Sequence, residues 1–205
     1  MRTYFITGIG TEVGKTIASA IITQALKADY WKPVQAGELK HSDRMKVEAL
    51  IDNDRTKFHP EAYKLSQPIS PHAAAERDDV EIDISSFKIP QTNNHLVIEG
   101  AGGLLVPLND KNTILNIIES IKCEVILVSR HYLGSINHTL MSIETLQQRK
   151  IPIKGILFNG KKNKDTESII TKMSGVNIIG RIDELDHLNK SVINSVAQNL
   201  KNKLI

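Results

Sequence analysis

Short apolar runs along the chain alternate with longer stretches whose apolar residues recur at helical spacing. A run of about four to eight apolar or β-branched residues has the length of a buried strand, whereas recurrence every three to four positions marks one face of a helix. The runs predict strands at Tyr4 to Thr7, Trp31 to Val34, Leu96 to Glu99, Val125 to Ser129, Ile153 to Asn159 and Ile178 to Ile182. Helical period and good propensity predict helices over Thr16 to Ala28 ("TIASAIITQALKA") and Ser135 to Arg149. Near the carboxyl end Val192, Ile193, Val196, Leu200 and Leu204 fall on one stripe, so a C-terminal helix docked on the core is expected. Short apolar strands separated by helices are the pattern of βαβ units. The expected fold class is therefore α/β: a doubly wound, mostly parallel sheet flanked by helices. Only residues 53–95, rich in Pro, Asn, Asp and Ser, break the pattern, and they are expected to make an excursion over the sheet rather than a linker.

Composition changes this picture little. A length of 205 residues suits a single domain spanning 1–205 with a large core. The 26 basic and 23 acidic residues nearly balance, so a nucleic-acid partner is not demanded, and no run of like charge forms a binding tail. No apolar run approaches the roughly 18 residues needed to span a bilayer. Nor does a charged-then-apolar leader precede the first strand, and a soluble, cytoplasmic protein without a membrane partner is expected. The lone Cys123 allows neither an internal disulfide nor a thiolate metal cluster, which fits a reducing compartment.

The chemistry begins where the first strand meets the first helix, at Thr7 to Thr16, "TGIGTEVGKT". Strand, glycine-rich turn and helix in that order is the context of a nucleotide loop. The strict mononucleotide pattern needs glycine where Ile9 stands and finds it one residue early, at Gly8. A dinucleotide fingerprint needs glycine at Val13 and an acidic residue after the second strand, where the chain has Lys32-Pro33-Val34. Gly14-Lys15-Thr16 offers instead backbone N–H groups, an ammonium and a hydroxyl, the parts that hold the phosphates and Mg²⁺ of a nucleoside triphosphate. The plainer alternative is a turn in which glycine only permits tight packing. Glu99 closes an apolar run at the end of a sheet where such folds bind ligands, and is a candidate Mg²⁺ ligand, directly or through water. Asp43 is either a second oxygen ligand or a helix N-cap.

Several blocks then fall into one order: "TGIGTEVGKT", "KPVQAG" from Lys32, "SD" at Ser42-Asp43, "SPHAAA" from Ser70, "VIEGAGGLLVPL" from Val97 and "LGSINHTL" from Leu133. From Met1 to about Ile182 the chain resembles the dethiobiotin synthetase family, ATP-dependent carboxylases of biotin synthesis with a P-loop NTPase type of fold. That family's loop spaces its glycines as this one does, which resolves the misfit at Ile9. The resemblance implies ATP binding by Glu12, Val13, Gly14, Lys15, Thr16, Asp43, Glu99 and Asn159, with Mg²⁺ at Thr16, Asp43 and Glu99. Asn159 would recognise adenine, or else merely begin an Asn-Gly turn with Gly160. Lys15 and Lys32 would be the catalytic cations, Lys32 facing the reacting nitrogen. Substrate contacts would come from Thr11, Lys32, Ala36, Gly134, Ser135 and Asn137; the helix beginning at Gly134 would hold the substrate carboxylate across a homodimer interface. Asn137 has a second reading, as a buried cap.

The implied reaction converts 7,8-diaminopelargonate, CO₂ and ATP to dethiobiotin, ADP and phosphate, through a carbamate and a carbamic-phosphoric anhydride. No histidine has to act as a base, and His72 is expected to be a structural hydrogen bonder. Three positions depart from the family pattern: Ala36 replaces a serine or threonine, Gly10 an aspartate, and Asp183 a proline. The alternative from another class is a P-loop dimer switch of the chromosome-partition or nitrogenase iron-protein type. Those proteins carry a second lysine early in the loop, where Gly8-Ile9-Gly10 has none, and there is no CxxC for a cluster.

Overall fold

The computed structural model describes residues 1–185 and 187–204. The strands are β1 (Thr3–Gly8), β2 (Asp29–Trp31), β3 (Val34–Ala36), β4 (Phe58–His59), β5 (Tyr63–Leu65), β6 (Leu96–Gly103), β7 (Glu124–Arg130), β8 (Ile153–Asn159) and β9 (Ile178–Ile182). The helices are α1 (Lys15–Leu26), α2 (Asp43–Leu50), α3 (Pro71–Arg77), α4 (Ile114–Ser120), α5 (Ser135–Gln148), α6 (Lys164–Ser174) and α7 (Lys190–Leu204). Seven strands form one sheet in the order β4-β2-β6-β1-β7-β8-β9, parallel at every pairing, and β3 with β5 makes a separate two-stranded sheet. The expected α/β class, doubly wound with helices on both faces, is what the chain adopts.

Side chains alternate across each strand and so feed both layers. Tyr4 and Ile6 of β1 pack in one core with α1, α2 and α7, while Phe5 between them enters another with α3 and α4. Leu127, Ile156 and Phe158 meet α5 and α6 in a third cluster. The C-terminal stripe docks as its spacing predicts, with Ile193, Ala197, Leu200 and Leu204 buried. Gly180 in β9 makes room for it, since a Cβ there would lie 2.0 Å from a Leu200 methyl. Among the described residues no helix is long and apolar enough to cross a membrane.

Three boundaries differ from the sequence expectation by two residues or more, the ends of α1 and of β6 and the whole second strand. Helix α1 stops at Leu26, because Lys27 turns into the left-handed region (φ 50°) and its N–H caps the last turn; Ala28 then leads into β2. The second strand is Asp29–Trp31, not Trp31–Val34. Pro33 has no N–H to give the ladder, so the chain leaves the main sheet and pairs Val34–Ala36 with Tyr63–Leu65 instead. Residues 53–95 do make an excursion, and it returns β4 to the sheet edge, where Phe58 pairs with Tyr30.

Candidate active site

The break after Trp31 shapes the site. Trp31 is opposite Ile98 in β6, so at the next position, Glu99, strand β2 no longer covers β6. Lys32 enters that gap. Strand β6 itself runs on to Gly103, so Glu99 is inside the strand rather than at its end as the apolar run suggested. On the other side β1 pairs with β6 at Ile6 and gives way to the glycine loop. The result is a cleft of about 660 Å³ at the carboxyl ends of the strands, whose walls include Lys15, Thr16, Lys32, Ala36, Asp43 and Glu99.

Glu99 is only 1% exposed and accepts three hydrogen bonds: from Thr16 Oγ1 (2.9 Å), the Tyr30 hydroxyl (2.9 Å) and Lys32 Nζ (3.0 Å). The Lys32 ammonium also pairs with Asp43 Oδ2 at 2.5 Å. Burial alone would lower the pKa of Lys32, but the Glu99 and Asp43 carboxylates outweigh it and hold the ammonium above its ordinary value. Asp43 moves the opposite way: burial would raise it, and Lys32 keeps it low. Lys46 continues the line, 3.4 Å from Asp43 Oδ1 and 2.5 Å from Glu38 Oε2. Charges therefore alternate from Glu99 through Lys32, Asp43 and Lys46 to Glu38 at the lip.

Lys15 lies across the cleft, its ammonium donating to the Gly10 carbonyl at 2.8 Å. Burial pushes its pKa down to about 8, only partly opposed by Glu99. Phosphates favour the charged form, so metal-free nucleotide should take up a proton on binding near pH 8 and bind more weakly as pH rises beyond it. Titration calorimetry in buffers of different ionisation enthalpy reads that uptake; none between pH 8 and 9 would reject the shift.

The loop holds Glu12 (φ 57°) and Gly14 (φ 95°) in left-handed backbone. Thr11 and Glu12 border the cleft. Asn159 approaches the loop from β8 and donates from Nδ2 to the Val13 carbonyl at 3.0 Å, while Gly160 (φ 98°) makes the turn behind it. Asp43 is not an N-cap: Ser42 caps α2, accepting from the Met45 N–H, and Asp43 is the first helical residue. Gly134 (φ 101°) precedes α5, where Ser135 is buried. Asn137 is exposed one turn in, which rules out the buried cap. These three residues lie outside the cleft. His72 is exposed, and its backbone N–H rather than its ring bonds to Pro107 O.

The profile of a family described as an AAA domain matches residues 2–192. The ATP-dependent dethiobiotin synthetase BioD of Christiangramia forsetii is 52% identical over 203 residues, covering 99% of this chain and 98% of that relative. The protein of the same name from Cytophaga hutchinsonii is 48% identical over 201 residues, covering 98% and 97%. This chain belongs to the dethiobiotin synthetase family.

Solved structures show how widely the synthetase fold is shared. The septum site-determining protein MinD of Pyrococcus horikoshii, complexed with Mg-ADP, superposes with a TM-score of 0.63 at 13% identity, covering 97% of this chain and 95% of that one. A putative plasmid partition protein of Borrelia burgdorferi bound to AMPPNP gives 0.59 at 13% identity, covering 99% and 96%. At that identity the likeness speaks of fold alone, so the dimer-switch alternative has the architecture in its favour and nothing more.

The three departures sit in different surroundings. Ala36 lines the cleft wall, a Cβ on Gly10 would meet nothing within 4 Å, and the Asp183 carboxylate is exposed, 3.9 Å from Arg181 Nε. Sequence reasoning missed Tyr30, Gln35, Glu38 and Lys46. Lys46 was within reach, because a helix beginning at Ser42-Asp43 puts residue 46 on the same face as residue 43.

Proposed function

We propose that the cleft over Glu99 is where this ATP-dependent dethiobiotin synthetase joins CO₂ to 7,8-diaminopelargonate. One observation carries the assignment: Lys32, buried between Glu99 and Asp43, faces the same cleft as Lys15. In the reaction one amine captures CO₂ as a carbamate, the γ-phosphoryl group passes to the carbamate oxygen, and the second amine displaces phosphate to close the ring. Carbamate and triphosphate repel each other, so bringing them together requires fixed positive charge. Lys15 and the amides at the start of α1 meet the phosphates; Lys32 meets the carbamate. Neither lysine needs to be a nucleophile.

Thr16, Asp43 and Glu99 offer hard oxygen donors on one wall, which fits Mg²⁺. That ion is usually held by one or two carboxylates together with phosphate and water. When bound, it would neutralise phosphate charge. Glu12 and Val13 join the phosphate loop, Asn159 reads adenine from its place beside Val13, and Thr11 and Ala36 flank the diamine.

The synthetase works as a homodimer in this reading. Leu133, Ile136 and Met141 are exposed around the start of α5, and Leu105 stands out nearby. Met141 and Leu105 line a groove that Gly8 to Thr11 also border, so a second copy seated there would reach the glycine loop. Gly134, Ser135 and Asn137 would then serve the partner's substrate carboxylate from a helix N-terminus. Specific activity should fall in step with the dimer fraction on dilution, followed by sedimentation; full activity in a monomer would refute the shared site. The decisive assay supplies ATP, Mg²⁺, bicarbonate and diamine: ADP release should require both bicarbonate and diamine, with labelled carbon appearing in a cyclic urea. ADP release independent of the diamine would sink the assignment.

A further inference from the structure

We propose that Gln35 is a positioning residue that sets Asp43 in place for Mg²⁺. The inference rests on the assignment of Asp43 to the metal site made above. Gln35 is the middle residue of β3 and only 3% exposed. Its carboxamide makes two hydrogen bonds: Oε1 accepts from the Asp43 N–H at 3.1 Å, and Nε2 donates to the Gly37 carbonyl at 3.0 Å. As the first residue of α2, Asp43 has no partner for its N–H within the helix. The Ser42 cap does not supply one, because its hydroxyl accepts from Met45. Gln35 fills that role from another element.

The two bonds close the segment between them. Gly37 and Asp43 are the two ends of the chain that crosses from β3 to α2, and one amide fastens both. Gly37 cannot shift freely: it sits at φ 70°, donates to Leu65 O at 2.8 Å, and a Cβ there would lie 2.5 Å from Pro68 Cβ. Glu38, next in line, is also left-handed, at φ 52°. With the Gly37 end held, the Gln35 amide transmits that fixed position to the Asp43 backbone. The carboxylate of Asp43 is then balanced between Lys32 on Oδ2 and Lys46 on Oδ1. Gln35 is thus an outer partner of a proposed metal ligand, acting through the ligand's main chain, and it shares its strand with Ala36 on the substrate wall.

The test compares Gln35→Met, which keeps length but loses both bonds, with Gln35→Asn, whose shorter amide cannot span both ends. Calorimetry on the intact protein, without diamine, gives the affinity for ATP with excess chelator and the Mg²⁺ concentration for half-maximal enhancement of ATP binding. Gln35→Met should raise that Mg²⁺ concentration about tenfold or more, the usual scale for loss of an outer partner, and leave metal-free ATP affinity within about twofold. Gln35→Asn should move the same way, and it carries the test if the methionine variant does not fold. Unchanged Mg²⁺ dependence in a folded variant overturns the proposal alone, as does equal loss of metal-free and metal-assisted binding, which would mark a structural role. A native protein whose ATP binding ignores Mg²⁺ overturns the metal assignment and this proposal with it.

Discussion

Lys32→Ala is expected to lower kcat by about 10² to 10³, roughly 3 kcal/mol, the scale on which preorganised electrostatic donors act. Distance and burial make the residue hard to replace. Its ammonium is within 3.0 Å of Glu99 and 2.5 Å of Asp43, and its side chain is 5% exposed, so water cannot substitute freely for it. The alanine variant also leaves two carboxylates facing each other across an emptied space. Removing one partner of a buried ion pair costs about 3 to 5 kcal/mol of stability, so the melting temperature should fall too. The two effects separate experimentally, because the rate loss is read on protein that circular dichroism shows to be folded. A loss in kcat below tenfold would reject the catalytic role, whatever happened to stability.

Gly14→Ala should weaken ATP binding by about a hundredfold or more, through two independent faults. Gly14 precedes α1 at φ 95°, a conformation that strains any residue with a Cβ, typically by about 1 to 3 kcal/mol. That Cβ would also lie 2.2 Å from Asn159 Nδ2, so Asn159 must abandon its bond to Val13 O. The double variant Gly14→Ala/Asn159→Ala removes the collision and keeps the backbone strain. It should therefore recover only part of the folding stability, and its nucleotide affinity should stay low, because the strain remains and Asn159, the proposed adenine contact, is gone as well; thermal melting and calorimetry read the two. Wild-type affinity in the single variant would show that the loop does not hold the phosphates.

Much of this site was legible in the sequence because its parts are local. A strand, a glycine turn and a helix are consecutive, so Lys15 and Thr16 were placed by period and spacing alone. Glu99 reads as the residue that closes an apolar run and Lys32 as the family's substrate-facing lysine, and the sheet brings them within 3.0 Å although 67 positions separate them. What escaped depends on tertiary geometry. Trp31 to Val34 reads as one strand by hydrophobicity, yet Pro33 divides it between two sheets, and only that division shows why Lys32 has room beside Glu99. Asp43 also reads as a cap because aspartate often is one; the serine before it takes that position instead. Tyr30 falls just before the strand expected from hydrophobicity, and its hydroxyl gains meaning only where Glu99 lies opposite. Helices α2, α3 and α4 are short, and their existence is decided by what they cover.

The alternating line from Glu99 to Glu38 has a consequence for which anions the protein will tolerate. Because Lys32 and Lys46 are each flanked by carboxylates, their charge in the unliganded cavity is already answered, which leaves Lys15, whose ammonium is bound to the neutral Gly10 carbonyl, as the cation facing the cleft. A small monovalent ion such as chloride would have to compete with internal counter-charges already in contact, at distances far shorter than the roughly 8 Å screening length of physiological saline. A multiply charged guest, touching several of these groups together, can rearrange that balance where a single chloride cannot. At Lys32 and Lys46, then, a single small anion meets positions already filled, and the resting protein favours a guest that brings several charges at once.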